Sequence, residues 1–253
     1  MLYSVIIPAY NCSNTIEKSI NSVVKQTKSC DQIIIVDDFS NDNTYDILQK
    51  IKVKHSKILI EIYRLERNMG PSAVRNFGLD KSSNDIVAFL DSDDYWHPKK
   101  MEIILEAHKL TDADIIGHDY SLKIDPFSKF DNFEVKRINK LQLLLKNPIQ
   151  TSTIVCLNKN NLRFPEDMRY SEDYCALLIS VFTNSMKIYK IEEELTCLGR
   201  PQLSLGGLSQ SRFKMRKGEI FSYLKSLKNT VYFPLLPLLI FFSIFKHIIK
   251  ASK

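Results

Sequence analysis

Residues 89–96, Phe-Leu-Asp-Ser-Asp-Asp-Tyr-Trp, end an apolar run on three carboxylates, Asp91, Asp93 and Asp94. Asp37 and Asp38 close a second apolar run, 33–36, in the same way. Carboxylates this crowded repel one another unless a divalent cation or polar hydroxyls relieve the field. Carboxylate oxygens are the ligands that Mg2+ and Mn2+ prefer, and Mg2+ is commonly held by one or two carboxylates plus substrate phosphates. The pattern at 91–94 therefore asks for a metal and a phosphorylated ligand. The bland alternative is an acidic turn, because Asp and Ser are frequent turn formers and a lone Asp-x-Asp matches by accident. For Asp37 and Asp38 the alternative is an Asx turn or a helix cap, as good a reading as function for Asp37 but not for Asp38.

The elements that must hold these acids follow from periodicity. Residues 3–8 form a β-branched run closed by Pro8. Asn14 with Glu17 three residues on predicts a capped helix whose stripe is Ile16, Ile20, Val23 and Val24. Further strands are predicted at 33–38, 58–63, 85–90 and 113–119. Between them lie helices: one on Thr44, Leu48 and Ile51, one opened by Pro71 with Ala73, Val74 and Phe77 buried, and one opened by Pro98 with Met101, Ile104, Leu105 and His108. Farther on, 138–147 and 173–182 read as helices, and 151–157, 186–191 and 195–199 as strands. Strands that are apolar throughout and alternate with helices predict a parallel sheet covered on both faces. In such sheets ligands bind beyond the carboxyl ends of the strands, where both acidic clusters fall.

Taken in order, SVIIPAYN (4–11), IIIVDDFSNDNT (33–44), NMGPSAVRNFGL (68–79), IVAFLDSDD (86–94) and SEDY (171–174) resemble the motifs of family 2 glycosyltransferases with the GT-A fold. The resemblance spans roughly residues 3–200 and is nearest to bacterial enzymes that build capsule, O-antigen and other surface polysaccharides. It implies an α/β fold, a Rossmann-like, mostly parallel sheet flanked by helices. It implies that Pro8, Ala9 and Tyr10 wall the base of a nucleotide-sugar and that Asp38 accepts a hydrogen bond from uracil. Asp91 would hold the ribose hydroxyls, Ser92 would line the donor site, Asp93 would bind the metal (Mn2+ or Mg2+), and Asp94 would orient donor-sugar hydroxyls. Asn68 and Gly70 would form a turn that brings Arg75 to the nucleotide, the alternative for Arg75 being a surface salt bridge. Gly78 reads as a close helix–sheet contact. The general base would be Asp173, with Glu172 beside it, and an acidic first turn on a helix is compatible with that role. Direct displacement without a carboxylate nucleophile inverts the anomeric centre. Arg200 resembles the family's arginine before a Ser/Gly loop that closes on the diphosphate. The QxxRW motif of processive members is absent, which favours transfer of a single sugar.

Composition adds location. The net charge of +6 is concentrated in the last 55 residues, where ten Lys/Arg face the single acid Glu219. Residues 231–245 carry no charge and are flanked by Arg212, Lys214, Arg216 and Lys217 before and Lys246, His247 and Lys250 after. That stretch is shorter than the about 20 residues a spanning helix needs and contains Pro234 and Pro237. An interfacial helix on anionic lipid is favoured over one docked on the domain. The aliphatic run interleaved with the basic residues argues against a nucleic-acid interface. Five scattered Cys and the absence of a signal-peptide pattern predict reduced thiols in a cytoplasmic protein, peripheral at the inner face of the cell membrane.

The sequence thus predicts a glycosyltransferase domain over 1–208 and a basic, apolar helical extension over 209–253. The expected activity is metal-dependent transfer from a UDP-sugar to a glycan acceptor carried on a polyprenyl diphosphate. The alternatives are a non-catalytic nucleotide-sugar-binding or scaffold subunit, and a nucleotidyltransferase. The latter normally carries a Gly-rich basic loop after strand one, which Pro8-Ala9-Tyr10-Asn11-Cys12 lacks.

Overall fold

The computed structural model describes residues 1–128, 130, 132–157, 159–201 and 211–251. β1 (Tyr3–Ala9), β2 (Gln32–Asp37), β3 (Leu59–Arg64) and β4 (Ile86–Phe89) run parallel in the order β3-β2-β1-β4. Their crossovers are α1 (Ile16–Val24), α2 (Thr44–Lys54) and α3 (Pro71–Lys81). The chain continues through β5 (Tyr95–Trp96), α4 (Lys100–Leu110), β6 (Ile115–Ser121), β7 (Val135–Arg137), α5 (Lys140–Leu145) and β8 (Val155–Cys156). It closes with α6 (Glu172–Phe182), β9 (Ile188–Cys197), α7 (Arg212–Leu227) and α8 (Leu236–Ala251). Beyond β4 the sheet order is β8-β6-β9-β5, with β7 on β9.

Strand alternation splits the core in two. Val5 and Ile7 of β1 and Ile33 and Ile35 of β2 face a cluster built with Ile16, Ile20 and Val23 of α1, Leu48 and Ile51 of α2 and Ile104 of α4. Ile6, Ile34 and Val36 face the other side, where α3, α6, α7 and α8 contribute Val74, Leu177, Tyr223 and Leu239. A sheet buried on both faces needs strands that are apolar throughout, as β1 and β2 are. β3 is the edge strand, and only Ile60 is fully buried in it.

Several local expectations need correction. α1 is capped at Thr15 rather than Asn14, without a side-chain cap bond. Residues 151–157 are not a strand: Thr151–Thr153 is a 3₁₀ turn, and only Val155–Cys156 pairs, antiparallel to both β4 and β6. The sheet is mostly parallel, as expected, with antiparallel pairs at β8, β5 and β7. The segments 186–191 and 195–199 belong to one strand, β9, whose register with β6 shifts around Asp119. His97 and His118 are fully buried, and all five cysteines are buried free thiols.

The C-terminal helix α8 docks on the body through one face and leaves a second apolar face uncovered. Leu236, Leu239 and Ser243 of α8 are buried against the body, while Leu238, Phe241, Ile244 and Phe245 on the opposite face are exposed. Among the described residues no helix is long and apolar enough to cross a membrane. The expected boundary at 208/209 and the Ser/Gly loop beyond Arg200 lie outside the described residues.

α3 reaches the sheet closely because of Gly78: a Cβ there would stand 2.6 Å from Ile6 Cγ2 and 3.1 Å from Ile6 Cδ1. Gly78→Val is expected to lower stability by about 1–3 kcal/mol in urea unfolding through overpacking, despite valine's better helix propensity than glycine.

Candidate active site

The loops after β1 and β2 and the start of α3 form one wall. Pro8 and Ala9 end β1 and Tyr10 follows it, all three lining the cavity. The Asp38 carboxylate accepts from the backbone N–H groups of Met69 at 2.7 Å and Gly70 at 2.9 Å, while Asn68 Nδ2 donates to the Asp38 carbonyl at 3.2 Å. Gly70 precedes α3 with φ 87°, a conformation that favours glycine. Asp38 and Asn68 therefore clasp the loop that aims α3 at the site, and both Asp38 oxygens are engaged by that loop. Asp37 is wholly buried and accepts from the backbone N–H and hydroxyl of Ser40, which is the Asx-turn alternative. Non-glycine residues with positive φ occur beside these loops at Asn11 and Phe39 and just before α6 at Ser171. Backbone strain of that kind gathers at functional sites.

The acidic turn is held from three directions. Arg75 Nη2 pairs with Asp91 Oδ1 at 2.8 Å, and Arg200 pairs with Asp93 Oδ2 at 2.6 Å. Asp94 accepts from Ser152 Oγ and from the Gly199 N–H at 2.9 Å. Ser152 is the hub beneath. Its hydroxyl also accepts the Asp91 N–H at 3.0 Å, and its carbonyl accepts Lys100 Nζ at 2.9 Å, Trp96 Nε1 at 3.1 Å and Thr196 Oγ1 at 3.2 Å. Lys100 is fully buried, its ammonium 3.7 Å from the Trp96 ring centroid. Burial pushes the Asp94 carboxyl up to about 7, with the Asp91 charge adding to it. Burial likewise pushes Lys100 well below the ordinary lysine value, against the pull of the Asp94 charge.

The second acidic pair opens α6, directly after the left-handed Ser171. Arg75 Nη1 donates to Glu172 Oε1 at 3.1 Å, so one buried guanidinium bridges Asp91 and Glu172. It is a buried bridge and not the surface salt bridge weighed from sequence, and it lines the cavity. Asn147 Nδ2 donates to Asp173 Oδ2 at 3.1 Å. Burial, then the charge of Asp173, pushes Glu172 up to about 7, and burial also raises Asp173.

The acidic turn, Arg75, Arg200, Ser152 and the Glu172–Asp173 pair border one cavity of about 890 Å³. Its wall includes every residue singled out from sequence: Pro8, Ala9, Tyr10, Asp38, Asn68, Arg75, Asp91, Ser92, Asp93, Asp94, Glu172, Asp173 and Arg200. It also includes residues the sequence did not mark, among them Gln150, Ser152, Arg169, Tyr170 and Lys214. Lys100 had a readable signal, a lysine at the i−4 position to Ile104 on the apolar face of α4, whereas Ser152 and Asn147 had none. Among the described residues, no group of three or more His, Cys, Asp and Glu converges as a metal cage.

A profile described as glycosyl transferase family 2 matches residues 4–164. The chain is 31% identical over 226 residues to a protein named the putative teichuronic acid biosynthesis glycosyltransferase TuaG of Bacillus subtilis (strain 168), covering 88% of this chain and 87% of that one. It is 30% identical over 217 residues to the UDP-Glc:alpha-D-GlcNAc-diphosphoundecaprenol beta-1,3-glucosyltransferase WfgD of Escherichia coli, covering 85% and 83% respectively. Several other curated relatives are longer, and the chain spans 28% to 37% of their length. In fold it is similar to S. aureus TarS 1-349 in complex with UDP-GlcNAc, with a TM-score of 0.70 at 21% identity over 91% of this chain and 68% of that one.

Removing one partner of a buried ion network leaves charges uncompensated and costs about 3–5 kcal/mol. Arg75→Leu is expected to lose about that much stability at pH 8 in urea unfolding, through Asp91 and Glu172. Without the guanidinium, whose charge lowers it, the Glu172 carboxyl rises further above its unfolded value, so the folded variant binds more protons than the folded wild type. The deficit relative to wild type should therefore shrink as pH falls toward 5. A deficit independent of pH would show that Arg75 contributes by packing alone.

Proposed function

The chain belongs to glycosyl transferase family 2, and on that premise we propose that it moves one sugar from a UDP-sugar to a hydroxyl of a lipid-linked glycan, with inversion. The observation that carries the reading is the convergence, on one cavity, of the loop after β1, the acidic turn and the Glu172–Asp173 pair. The names of the relatives supply the donor and acceptor classes: UDP-Glc and a diphosphoundecaprenol-linked sugar for the E. coli protein, and UDP-GlcNAc in the S. aureus complex.

In this reading Pro8, Ala9 and Tyr10 take the base, and Asp91 and Ser92 take the ribose end of the donor. Asp94, fixed by Ser152 and Gly199, faces the donor sugar. Asp173 takes the proton of the acceptor hydroxyl; the acceptor oxygen forms a bond to the anomeric carbon, and the bond from that carbon to the diphosphate oxygen breaks. UDP leaves with that electron pair, from the face opposite the attack. Burial, with the Asp91 charge adding to it, raises Asp173 and so favours proton uptake, while Arg75 holds Glu172 beside it. Arg200 meets the departing diphosphate.

The residues present fit a divalent metal. Asp93 offers a hard oxygen ligand at the cavity, and its only ion-pair partner among the described residues is the half-exposed Arg200. Bound there, Mg2+ or Mn2+ would offset charge building on the leaving diphosphate.

The same reading puts the protein at a membrane surface through α8, whose exposed Leu238, Phe241, Ile244 and Phe245 form an apolar face. Anchoring there would confine the enzyme to the plane in which a lipid-linked acceptor diffuses.

Thermal unfolding with UDP, GDP, CMP and TDP, each with Mn2+ or EDTA, tests the donor. A ligand at 100 times its dissociation constant adds about 2.7 kcal/mol of stability. UDP with Mn2+ is expected to stabilise most, and Asp93→Ala to lose the metal-dependent part. Asp173→Asn should keep the stabilisation and lose transfer. No shift with any nucleotide would remove the transferase reading. In flotation assays, wild type should bind anionic vesicles and Phe241→Glu/Phe245→Glu should not; equal flotation would place the contact elsewhere.

A further inference from the structure

A second cavity of about 390 Å³ adjoins the first, and Gln150 lines both. Asn147 lines the second cavity and donates to Asp173, which lines the first. Across from these, Asp119 and Tyr120 of β6 and Lys190 and Glu194 of β9 complete the wall. The sheet departs from regular pairing at this spot. His118 pairs with Ile191 but Asp119 with Glu194 and Tyr120 with Thr196, so Glu192 and Glu193 have no partner on β6. Such irregularities re-aim side chains and are over-represented beside active sites.

We propose that this second cavity seats the acceptor's terminal sugar, an uncharged, hydroxyl-rich pyranose, and delivers its hydroxyl to Asp173. The inference rests on the transferase reading above and adds where, and by what chemistry, the acceptor is held. The volume falls at the lower end of the about 300–1,000 Å³ typical of small-molecule sites. The lining offers both hydrogen-bond acceptors and donors, which suits hydroxyl groups that do both. Its charges are largely matched: Lys190 pairs with Asp119 at 2.5 Å, and Glu192 with Lys136 at 2.8 Å. A phosphate would meet Asp119, Glu192 and Glu194 without a free cluster of cations to receive it. Tyr120 supplies an aromatic surface for the apolar face of a sugar ring. Asn147 is the positioning residue of the arrangement. Its Oδ1 accepts the Ile149 N–H at 3.4 Å, which turns Nδ2 toward Asp173, so the residue bordering the acceptor also orients the base.

The test is saturation-transfer NMR on the full chain with UDP, Mg2+ and the methyl β-glycosides of glucose, galactose and N-acetylglucosamine at millimolar concentration. At least one glycoside should receive saturation from wild type and keep it when a UDP-sugar is added. Tyr120→Ala and Glu194→Ala should each weaken that contact at least tenfold while the UDP signal persists. Silence of all three glycosides on wild type, displacement by the UDP-sugar, or undiminished contact in both variants would overturn the proposal. A second measurement does not depend on lost affinity. Lys146 is exposed at the rim of this cavity and the native cysteines are buried, so Lys146→Cys takes a nitroxide label there. The label should broaden the bound glycoside's resonances, and sharp resonances from a bound glycoside would overturn the placement. If UDP itself receives no saturation, the donor reading fails, while the glycoside results still decide the acceptor cavity.

Discussion

Three carboxylates within four residues can share one turn only if each has a source of relief, a cation or a polar donor. Here the sources come from three separate parts of the chain. Arg75 reaches Asp91 from α3, Arg200 reaches Asp93 from beyond β9, and Lys100 on α4 stands behind Asp94 through Ser152. The turn is thus an electrostatic junction that forms only when the parallel half of the sheet, the helix after it and the last strand are all in place. Ser152 unites them, because its two oxygens between them receive or give contacts to Asp91, Asp94, Trp96, Lys100 and Thr196. A buried hub with every partner satisfied rigidifies its surroundings, whereas a half-satisfied one is costly. The lysine illustrates the balance: its burial disfavours the charge, and the Asp94 carboxylate and the Trp96 ring recover part of the loss.

How much of this was legible in the sequence depended on whether the signal was local. β1 and β2 announce themselves as unbroken aliphatic runs, and the acids at their ends fall at the binding edge by a rule of topology. Ordered motifs then brought all the singled-out residues to one cavity. What local patterning could not carry was partnership. Arg75 sits on an otherwise ordinary helix, and nothing near it in sequence says that Glu172 lies within reach. Ser152 belongs to a Thr-Ser-Thr that resembles a strand, because β-branched residues score as strand wherever they occur. Its actual conformation, a 3₁₀ turn, is imposed by the polar contacts that converge on it. Lys100 was partly legible, since a lysine in register with an apolar face needs an internal partner. The pKa shifts at Asp94 and Glu172 were anticipated in kind by the crowding of acids, but their main cause is burial, which only the packing reveals.

The C-terminal helices show a different limit. Their composition pointed outward, to lipid, and their packing points inward as well. Tyr223 and Leu227 of α7 are wholly buried in the second core cluster, and Lys214 of the same helix borders the active-site cavity. A segment that reads as an appendage thus closes one wall of the site. Hydropathy averaged along a helix does not distinguish two apolar faces with different destinations, which is why periodicity and not mean hydropathy separates docking from exposure.

One guanidinium serving both Asp91 and Glu172 has a consequence for how such a site changes over generations. Interaction between two positions is reciprocal: whatever altered charge at Asp91 does to Glu172, the reverse change does in equal measure. The acidic turn and the Glu172–Asp173 side of the cavity therefore do not form independent modules. A lineage that changed the charge at Asp91 would shift the acidity of Glu172 in the same step. Compensation would have to arise at Glu172 or along α6, 97 positions away from Arg75 in the chain. The wall formed by β6 and β9 is freer to drift, because it lies outside that shared charge.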